Sequence, residues 1–229
     1  MAPTDHAPSG DAVDTAVFDV DGTLVDTNYQ HALAWYRAFR QVDIVLPVWR
    51  LHRAIGMGGD QIVAAVAGDD VEKEHGDALR SAWAEEFAPM LGEVRPFDGV
   101  RELLGDVAGR GLTIVLASSG APDHVETYLD LFDGRSFAAA WTTSEDVDRT
   151  KPEPDLIETA TAKAGGGRAV LVGDSTWDFV AAGRAGVPGY AIRTGGFSPE
   201  ELGEAGAREV FDSVGDLRDA LDRTLLSGR

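Results

Sequence analysis

Five short apolar runs, each followed by polar loop residues and then by a helical pattern, constrain the fold of this chain more than any other feature. Short apolar runs bounded by turn residues are typical of buried β-strands. The five predicted strands cover residues 15–18, 112–117, 138–141, 169–172 and 187–192.

Helical patterns fill the intervals between these runs. Apolar residues spaced three and four apart follow a proline or an Asp/Ser start signal, which predicts helices over residues 100–107, 122–131, 154–164 and 177–185. Strands that alternate with helices favour an α/β fold in which helices wrap a parallel sheet. Ligands of such sheets bind beyond the carboxyl ends of the strands, so we expect the chemistry in the loops that follow them.

Residues 27–94 break this alternation, because they carry helical spacing and no convincing strand. The interruption directly follows the first strand, so it is expected to lie over the ligand-binding edge of the sheet. We interpret it as an α-helical cap domain. The predicted organisation is a disordered tail over residues 1–13, a catalytic core made of residues 14–26 and 95–229, and a cap domain over residues 27–94.

The net charge of −19 narrows the classes of partner. Binding to nucleic acid or to anionic lipid requires clustered Lys and Arg, so neither a nucleic acid nor a membrane is an expected partner. The absence of cysteine excludes disulfides, thiolate metal sites and cysteine nucleophiles. Residues 1–14 carry acidic residues where a signal peptide needs basic ones, which predicts a cytoplasmic protein.

Asp19 and Asp21 lie two residues apart at the end of the first predicted strand, followed by Gly22. An extended backbone projects both carboxylates to one side. They can both stay ionised only beside a cation, and oxygen ligands suit Mg²⁺. A carboxylate can also attack phosphorus while its neighbour handles a proton. An ordinary Asp-Gly turn explains this fragment equally well, whereas a calcium loop requires glycine where Leu24 stands.

Three further segments follow later strands. Ser118 and Ser119 precede Gly120, and backbone amides with a hydroxyl at a strand end can hold phosphoryl oxygens, although Ser118 alone could equally be a helix cap. Pro152 forces Lys151 into an extended conformation that fixes its ammonium, although a lysine considered alone is more often exposed to solvent. Asp174 and Asp178 lie four apart at a loop-to-helix junction, where the added negative charge favours a bound cation. Asp178 alone could instead serve the helix dipole.

Taken together in this order, these segments resemble the four motifs of the haloacid dehalogenase superfamily of phosphohydrolases, in the subgroup whose helical cap follows the first motif. That subgroup includes phosphoglycolate phosphatases and β-phosphoglucomutases. The resemblance spans nearly the whole chain and implies a Rossmann-like parallel sheet of order 5-4-1-2-3.

The resemblance also implies roles for the motif residues. Asp19 would be the nucleophile and a Mg²⁺ ligand, and Asp21 the general acid/base that also offers its backbone carbonyl to the metal. Ser118, with Ser119 beside it, and Lys151 would bind the phosphoryl group. Asp174 and Asp178 would complete the metal site, the latter directly or through water.

Asp21 argues against dehalogenation, because a departing halide needs no proton. A phosphatase that hydrolyses a small phosphorylated metabolite through an aspartyl-phosphate is the preferred interpretation. A sugar phosphomutase of the β-phosphoglucomutase type and a non-catalytic phosphometabolite-binding module are the alternatives. The sequence is compatible with a monomer or a homodimer.

Substrate specificity is expected in the cap segment that contains Arg53, Gly56 and Gly58. Arg53 can clamp an anionic part of a substrate, or it can be an exposed helix arginine. The glycines allow close backbone approach or hinge motion.

Overall fold

A computed structural model describes residues 13–228. Its centre is a sheet of six strands in the order β3-β2-β1-β4-β5-β6, with every neighbouring pair parallel. The strands are β1 Thr15–Asp19, β2 Thr113–Ala117, β3 Ala138–Thr142, β4 Ala169–Gly173, β5 Gly189–Ile192 and β6 Val210–Phe211. The predicted order of five strands is confirmed. β6 was not predicted, since two residues are too few to form an apolar run.

Ten α-helices occupy the described residues. They are α1 Asn28–Gln41, α2 Val48–His52, α3 Gly59–Ala67, α4 Asp69–Phe87, α5 Val100–Gly109, α6 Pro122–Phe132, α7 Asp155–Lys163, α8 Thr176–Ala185, α9 Pro199–Ala205 and α10 Val214–Asp219. The helices predicted outside the cap lie within about two residues of α5 to α8, the usual uncertainty of a helix end.

β1 lies between β2 and β4 in the middle of the sheet, and both of its faces are covered. Val17 packs with Leu171 and with α7 and α8 on one side, and Phe18 packs with Val172 and with α5 and α6 on the other. All five residues of β1 are buried. Such two-sided burial explains why the strand is a continuous apolar run that ends at an aspartate.

The strand register aligns the polar residues of three loops. Asp19 pairs with Ala117 of β2, so Ser118 follows beside it. Phe18 pairs with Val172 of β4, so the loop after Gly173 begins beside Asp19 as well. The carboxyl edge of the sheet therefore brings together residues that are about 100 and 150 positions apart in the chain.

Helices α1 to α4 lie between β1 and β2 and have an apolar cluster of their own. Trp35, Phe39, Leu51, Ile62 and Leu79 are buried in this cluster. We call residues 28–93 the helical insertion. The division into a catalytic core and a cap domain stays a prediction. The predicted tail lies outside the described residues except for Val13, whose side chain is buried.

Candidate active site

Three buried carboxylates meet at the carboxyl edge of the sheet. Asp19 ends β1, Asp174 follows β4, and Asp178 lies in the first turn of α8. One oxygen of each lies within 4.8 Å of the others, and each residue is at most 2 % exposed. Lys151, which is also buried, donates to Asp19 and, at 2.8 Å, to Asp178.

The charge balance of this cluster fits a bound cation. Burial raises the pKa of Asp19 well above its ordinary value, although Lys151 opposes the shift. Burial and the neighbouring Asp178 raise the pKa of Asp174 to about 7. One ammonium among three carboxylates leaves negative charge uncompensated, and an all-oxygen donor set suits a hard divalent ion. Asp19, Asp174 and Asp178 could therefore hold a metal.

Two residues that the sequence analysis missed orient Asp174. Thr23 Oγ1 donates to Asp174 Oδ1 at 2.8 Å and lies 3.0 Å from Asp19 Oδ2. Asn28 Nδ2 donates to Asp174 Oδ2 at 2.9 Å from the first residue of α1. Gly22 makes this approach possible, because its φ of +79° turns the chain back over the site. Their positions beside the first motif are the signal that could have identified them.

Asp178 has a structural role beside its position in the cluster. Its Oδ2 accepts from the Ser175 hydroxyl at 2.7 Å, and Ser175 caps α8 in return. This reciprocal pair is a capping box, which orients the first turn of the helix. Oδ1 accepts from Lys151. The same carboxylate therefore starts α8 and fixes the ammonium of Lys151.

Asp21 lies beside the cluster without being part of it. Its carboxylate accepts from Ser118 Oγ at 2.8 Å, from Thr27 Oγ1 at 3.2 Å and from His31 Nε2 at 3.1 Å. Burial alone would raise the pKa of Asp21, but the hydrogen bonds from His31 and Ser118 hold it below its ordinary value. His31 lies ten positions after Asp21 in the chain, and α1 brings its ring against that carboxylate.

The two serines predicted to bind phosphate differ in their surroundings. Ser118 is fully engaged, since its hydroxyl donates to Asp21 and accepts from the Gly120 amide at 2.9 Å. Ser119 Oγ is buried with no hydrogen-bond partner within residues 13–228. The free hydroxyl of the pair therefore belongs to Ser119.

A cavity of about 320 Å³ opens above Asp19 and Lys151, between the sheet edge and the helical insertion. We call it the chamber. Its insertion side is lined by His31, Trp35, Ile55, Gly56, Met57, Gly58, Gly59, Asp60, Arg80 and Trp83. Its core side is lined by Asp19, Asp21, Ser119, Gly120, Ala121, Ser144, Val147, Asp148, Thr150 and Lys151. Gly56 and Gly58 lie where the sequence analysis predicts specificity residues.

Arg53 lies away from the chamber. Its guanidinium pairs with Glu201 of α9 and lies 4.0 Å from the ring centre of Phe197. Its backbone carbonyl accepts from Trp177 Nε1 at 3.0 Å. In this arrangement Arg53 joins the helical insertion to the core, and a role in substrate contact stays a prediction.

A larger cavity of about 830 Å³ lies at the other edge of the sheet, beside Arg168 and Ala169 at the start of β4. Glu158 is its one carboxylate within residues 13–228. The chamber is smaller, but Asp19 of the acid cluster and the buried Lys151 line it, so it is the candidate active site. Along the same residues, no helix has the length and apolar character needed to cross a membrane.

Comparison with known proteins identifies the class that this fold and site define. Residues 16–192 match the family described as haloacid dehalogenase-like hydrolase, and the chain belongs to that family. The predicted enzyme class, a hydrolase acting on phosphoric monoesters, is confirmed by phosphatase relatives that span nearly the whole chain.

A phosphoglycolate phosphatase of Caulobacter vibrioides is 30% identical over 220 residues, which cover 93% of this chain and 92% of that protein. An N-acetylmuramic acid 6-phosphate phosphatase of Pseudomonas aeruginosa is 27% identical over 91% of this chain and 95% of its own length. A hydrolase structure from Pseudomonas syringae is 31% identical with a TM-score of 0.85, covering 91% of this chain and 98% of that one.

Proposed function

We propose that this chain is a Mg²⁺-dependent phosphatase that hydrolyses a small phosphorylated metabolite through an aspartyl-phosphate on Asp19. One observation carries the proposal: Asp19 lies on the floor of the chamber, buried between Lys151 and the carboxylates Asp174 and Asp178. A nucleophile for a dianionic phosphoryl group needs positive charge beside it, which Lys151 supplies in part and a cation held by the carboxylates would complete.

Mg²⁺, held by Asp19, Asp174 and Asp178, would supply charge neutralisation for the phosphoryl oxygens. Lys151 adds an ammonium that its two carboxylate partners keep protonated. Burial alone would lower the pKa of Lys151, but Asp178 and Asp19 hold it above its ordinary value. The Ser119 hydroxyl is a further donor on the core side, because no hydrogen-bond partner within residues 13–228 occupies it.

In the first step an oxygen of Asp19 forms a bond to phosphorus, and the bond from phosphorus to the leaving oxygen breaks. Asp21 donates a proton to that oxygen, so an alcohol departs. Asp21 is a carboxylate in the resting site, because its hydrogen bonds hold its pKa low. The negative charge of an arriving phosphoryl group raises that pKa and favours the protonated acid.

In the second step a water molecule gives a proton to Asp21 and attacks phosphorus. The bond between phosphorus and Asp19 breaks, which returns the carboxylate and releases inorganic phosphate. Asp21 thus acts as acid and then as base. The predicted cytoplasmic location, the monomeric or homodimeric state and the absence of nucleic acid and membrane partners stay predictions.

Hydrolysis of p-nitrophenyl phosphate by the purified chain tests the proposal. We expect phosphate release only with Mg²⁺ and a loss of at least about 1,000-fold in kcat for Asp19→Asn, because the nucleophile is removed. Asp26→Asn is the matched control, since Asp26 is an exposed carboxylate seven positions along the same loop. Undiminished turnover by Asp19→Asn would reject the mechanism. Phosphate release without a bisphosphate activator separates hydrolysis from phosphomutase chemistry.

A further inference from the structure

The guanidinium of Arg80 lines the chamber but has no donor left on its terminal nitrogens. Nη1 donates to Glu72 Oε2 at 3.2 Å and to the Gly59 carbonyl at 3.3 Å. Nη2 donates to Glu72 Oε1 at 2.9 Å and to Asp77 at 2.8 Å. Each terminal nitrogen carries two hydrogens, so these four bonds use all of them. Arg80 is therefore a brace between α3 and α4, and two carboxylates compensate its charge.

The remaining charges on the chamber wall are unfavourable to an anionic leaving group. Lys151 is engaged by Asp19 and Asp178 at the floor. Asp60 and Asp148 also line the chamber, and Asp148 is exposed. The amino end of α3 also reaches the wall, but Asp60 in its first turn already offers negative charge to the helix dipole.

The rest of the insertion side of the chamber is apolar and partly aromatic. Trp35 and Trp83 stack at 5.7 Å between ring centres, and Ile55 and Met57 continue the same wall. Val147 faces the chamber from the core side. A volume of about 320 Å³ is at the small end of ligand sites, which hold about 300–1,000 Å³. It accommodates a phosphoryl group together with one ring.

We propose that the substrate is the phosphomonoester of an uncharged, ring-bearing alcohol, and that a leaving group with a carboxylate is discriminated against. The inference rests on the proposed phosphatase function. It differs from what the name of the Caulobacter vibrioides relative would suggest. An anion placed against this wall would lose water without gaining a cation, whereas a ring gains apolar contact.

Matched substrates test the proposal on the full chain with Mg²⁺. Phosphoglycolate and 2-hydroxyethyl phosphate have similar size and differ by one carboxylate. We expect kcat/KM at least about tenfold lower for phosphoglycolate, which corresponds to about 1.4 kcal/mol. The kcat/KM for cyclohexyl phosphate should exceed that for 2-hydroxyethyl phosphate by about tenfold or more, because the ring contacts the apolar wall. Equal or faster turnover of phosphoglycolate would overturn the inference.

Two variants test whether Arg80 only links α3 to α4 or also binds the carboxylate of a substrate. Met57→Lys adds a cation to the apolar wall, and it should raise the ratio of kcat/KM for phosphoglycolate to kcat/KM for 2-hydroxyethyl phosphate about tenfold. Arg80→Met should leave that ratio unchanged within about threefold, even where stability falls. A selective loss of phosphoglycolate turnover in Arg80→Met would show that Arg80 binds the carboxylate and would overturn the inference.

p-Nitrophenyl phosphate distinguishes this inference from the proposed function. A chain that hydrolyses no phosphomonoester, including p-nitrophenyl phosphate, contradicts both. A chain that hydrolyses p-nitrophenyl phosphate and prefers phosphoglycolate keeps the phosphatase function and loses only the inference about the leaving group. Thermal unfolding of each variant confirms that the ratios come from folded protein.

Discussion

Replacing Gly22 by alanine tests whether the metal-site carboxylates must lie where the structure places them. A Cβ at Gly22 would lie 2.4 Å from Asp174 Oδ2 and 2.3 Å from Asn28 Nδ2. The φ of +79° adds backbone strain of about 1–2 kcal/mol for any residue with a Cβ. The substitution therefore combines a steric clash with backbone strain. Substitutions at two other glycines each introduce only one of these effects.

Gly186 and Gly195 are those controls. Gly186 has a φ of +69° and no atom within 4 Å of an added Cβ, so Gly186→Ala introduces strain without a clash. Gly195 has no positive φ, but an added Cβ would lie 2.2 Å from Asp174 Oδ2, so Gly195→Ala introduces a clash without strain. Comparing the three variants separates the energetic cost of the backbone from the displacement of Asp174.

The expected magnitudes follow from these distances. Strain of about 1–2 kcal/mol lowers Tm by about 2–8 °C in a chain of this size, so Gly186→Ala should lose stability and keep its activity. An ordinary contact begins near 3.4 Å, so the Asp174 carboxylate must move by about 1 Å in Gly195→Ala. Misplacement on that scale costs about 100-fold in rate. Gly22→Ala should show both losses.

The assay measures kcat with p-nitrophenyl phosphate, the Mg²⁺ concentration that gives half-maximal activity, and Tm without metal. We expect Gly22→Ala and Gly195→Ala to need at least about tenfold more Mg²⁺, because Asp174 loses its orientation by Asn28. Gly186→Ala should need the same amount as the wild type. If Gly22→Ala matched Gly186→Ala in all three measurements, the position of Asp174 would not matter for catalysis, and our description of the site would be wrong.

Three further substitutions test contacts outside the acid cluster. Asp60→Ala removes the acceptor of the Thr150 hydroxyl and amide, so kcat/KM should fall by about 5- to 100-fold, the loss of one partly buried hydrogen-bonded pair, as steady-state kinetics would show. Glu201→Gln breaks a half-exposed pair with Arg53 and should lower Tm by no more than about 4 °C, less at high salt. Leu79→Ala opens a cavity in the core of the helical insertion and should cost about 2–5 kcal/mol in denaturant unfolding. An unchanged kcat/KM in Asp60→Ala, an unchanged stability in Leu79→Ala, or a Tm loss well above about 4 °C in Glu201→Gln would contradict the description of the corresponding contact.

The parts of the fold that were predicted correctly depend on local patterns. The strands that contain Val17, Val115 and Leu171 are buried on both faces, so apolar runs mark them clearly. The polar residues that follow those strands met at one edge because parallel strands must place their carboxyl ends together. β6 was not predicted, because a strand of two residues is too short to show a hydrophobic periodicity.

The parts that were not predicted depend on pairs that are distant in sequence. Arg53 and Glu201 are 148 positions apart, and Asp60 and Thr150 are 90 apart. Nothing in the local spacing of Arg53 distinguishes a substrate clamp from a contact with the core. Ser118 illustrates a different limit, because its place in the motif does not reveal that Asp21 occupies its hydroxyl.

Residues at the start of α1 form hydrogen bonds both with the acid cluster and with Asp21. Asn28 donates to Asp174, while Thr27 and His31 donate to Asp21. Metal binding and the orientation of α1 are therefore thermodynamically coupled. If a ligand that moves α1 lowers the affinity for the metal by some factor, the metal lowers the affinity for that ligand by the same factor. A metal titration with and without a chamber ligand measures this coupling from either side.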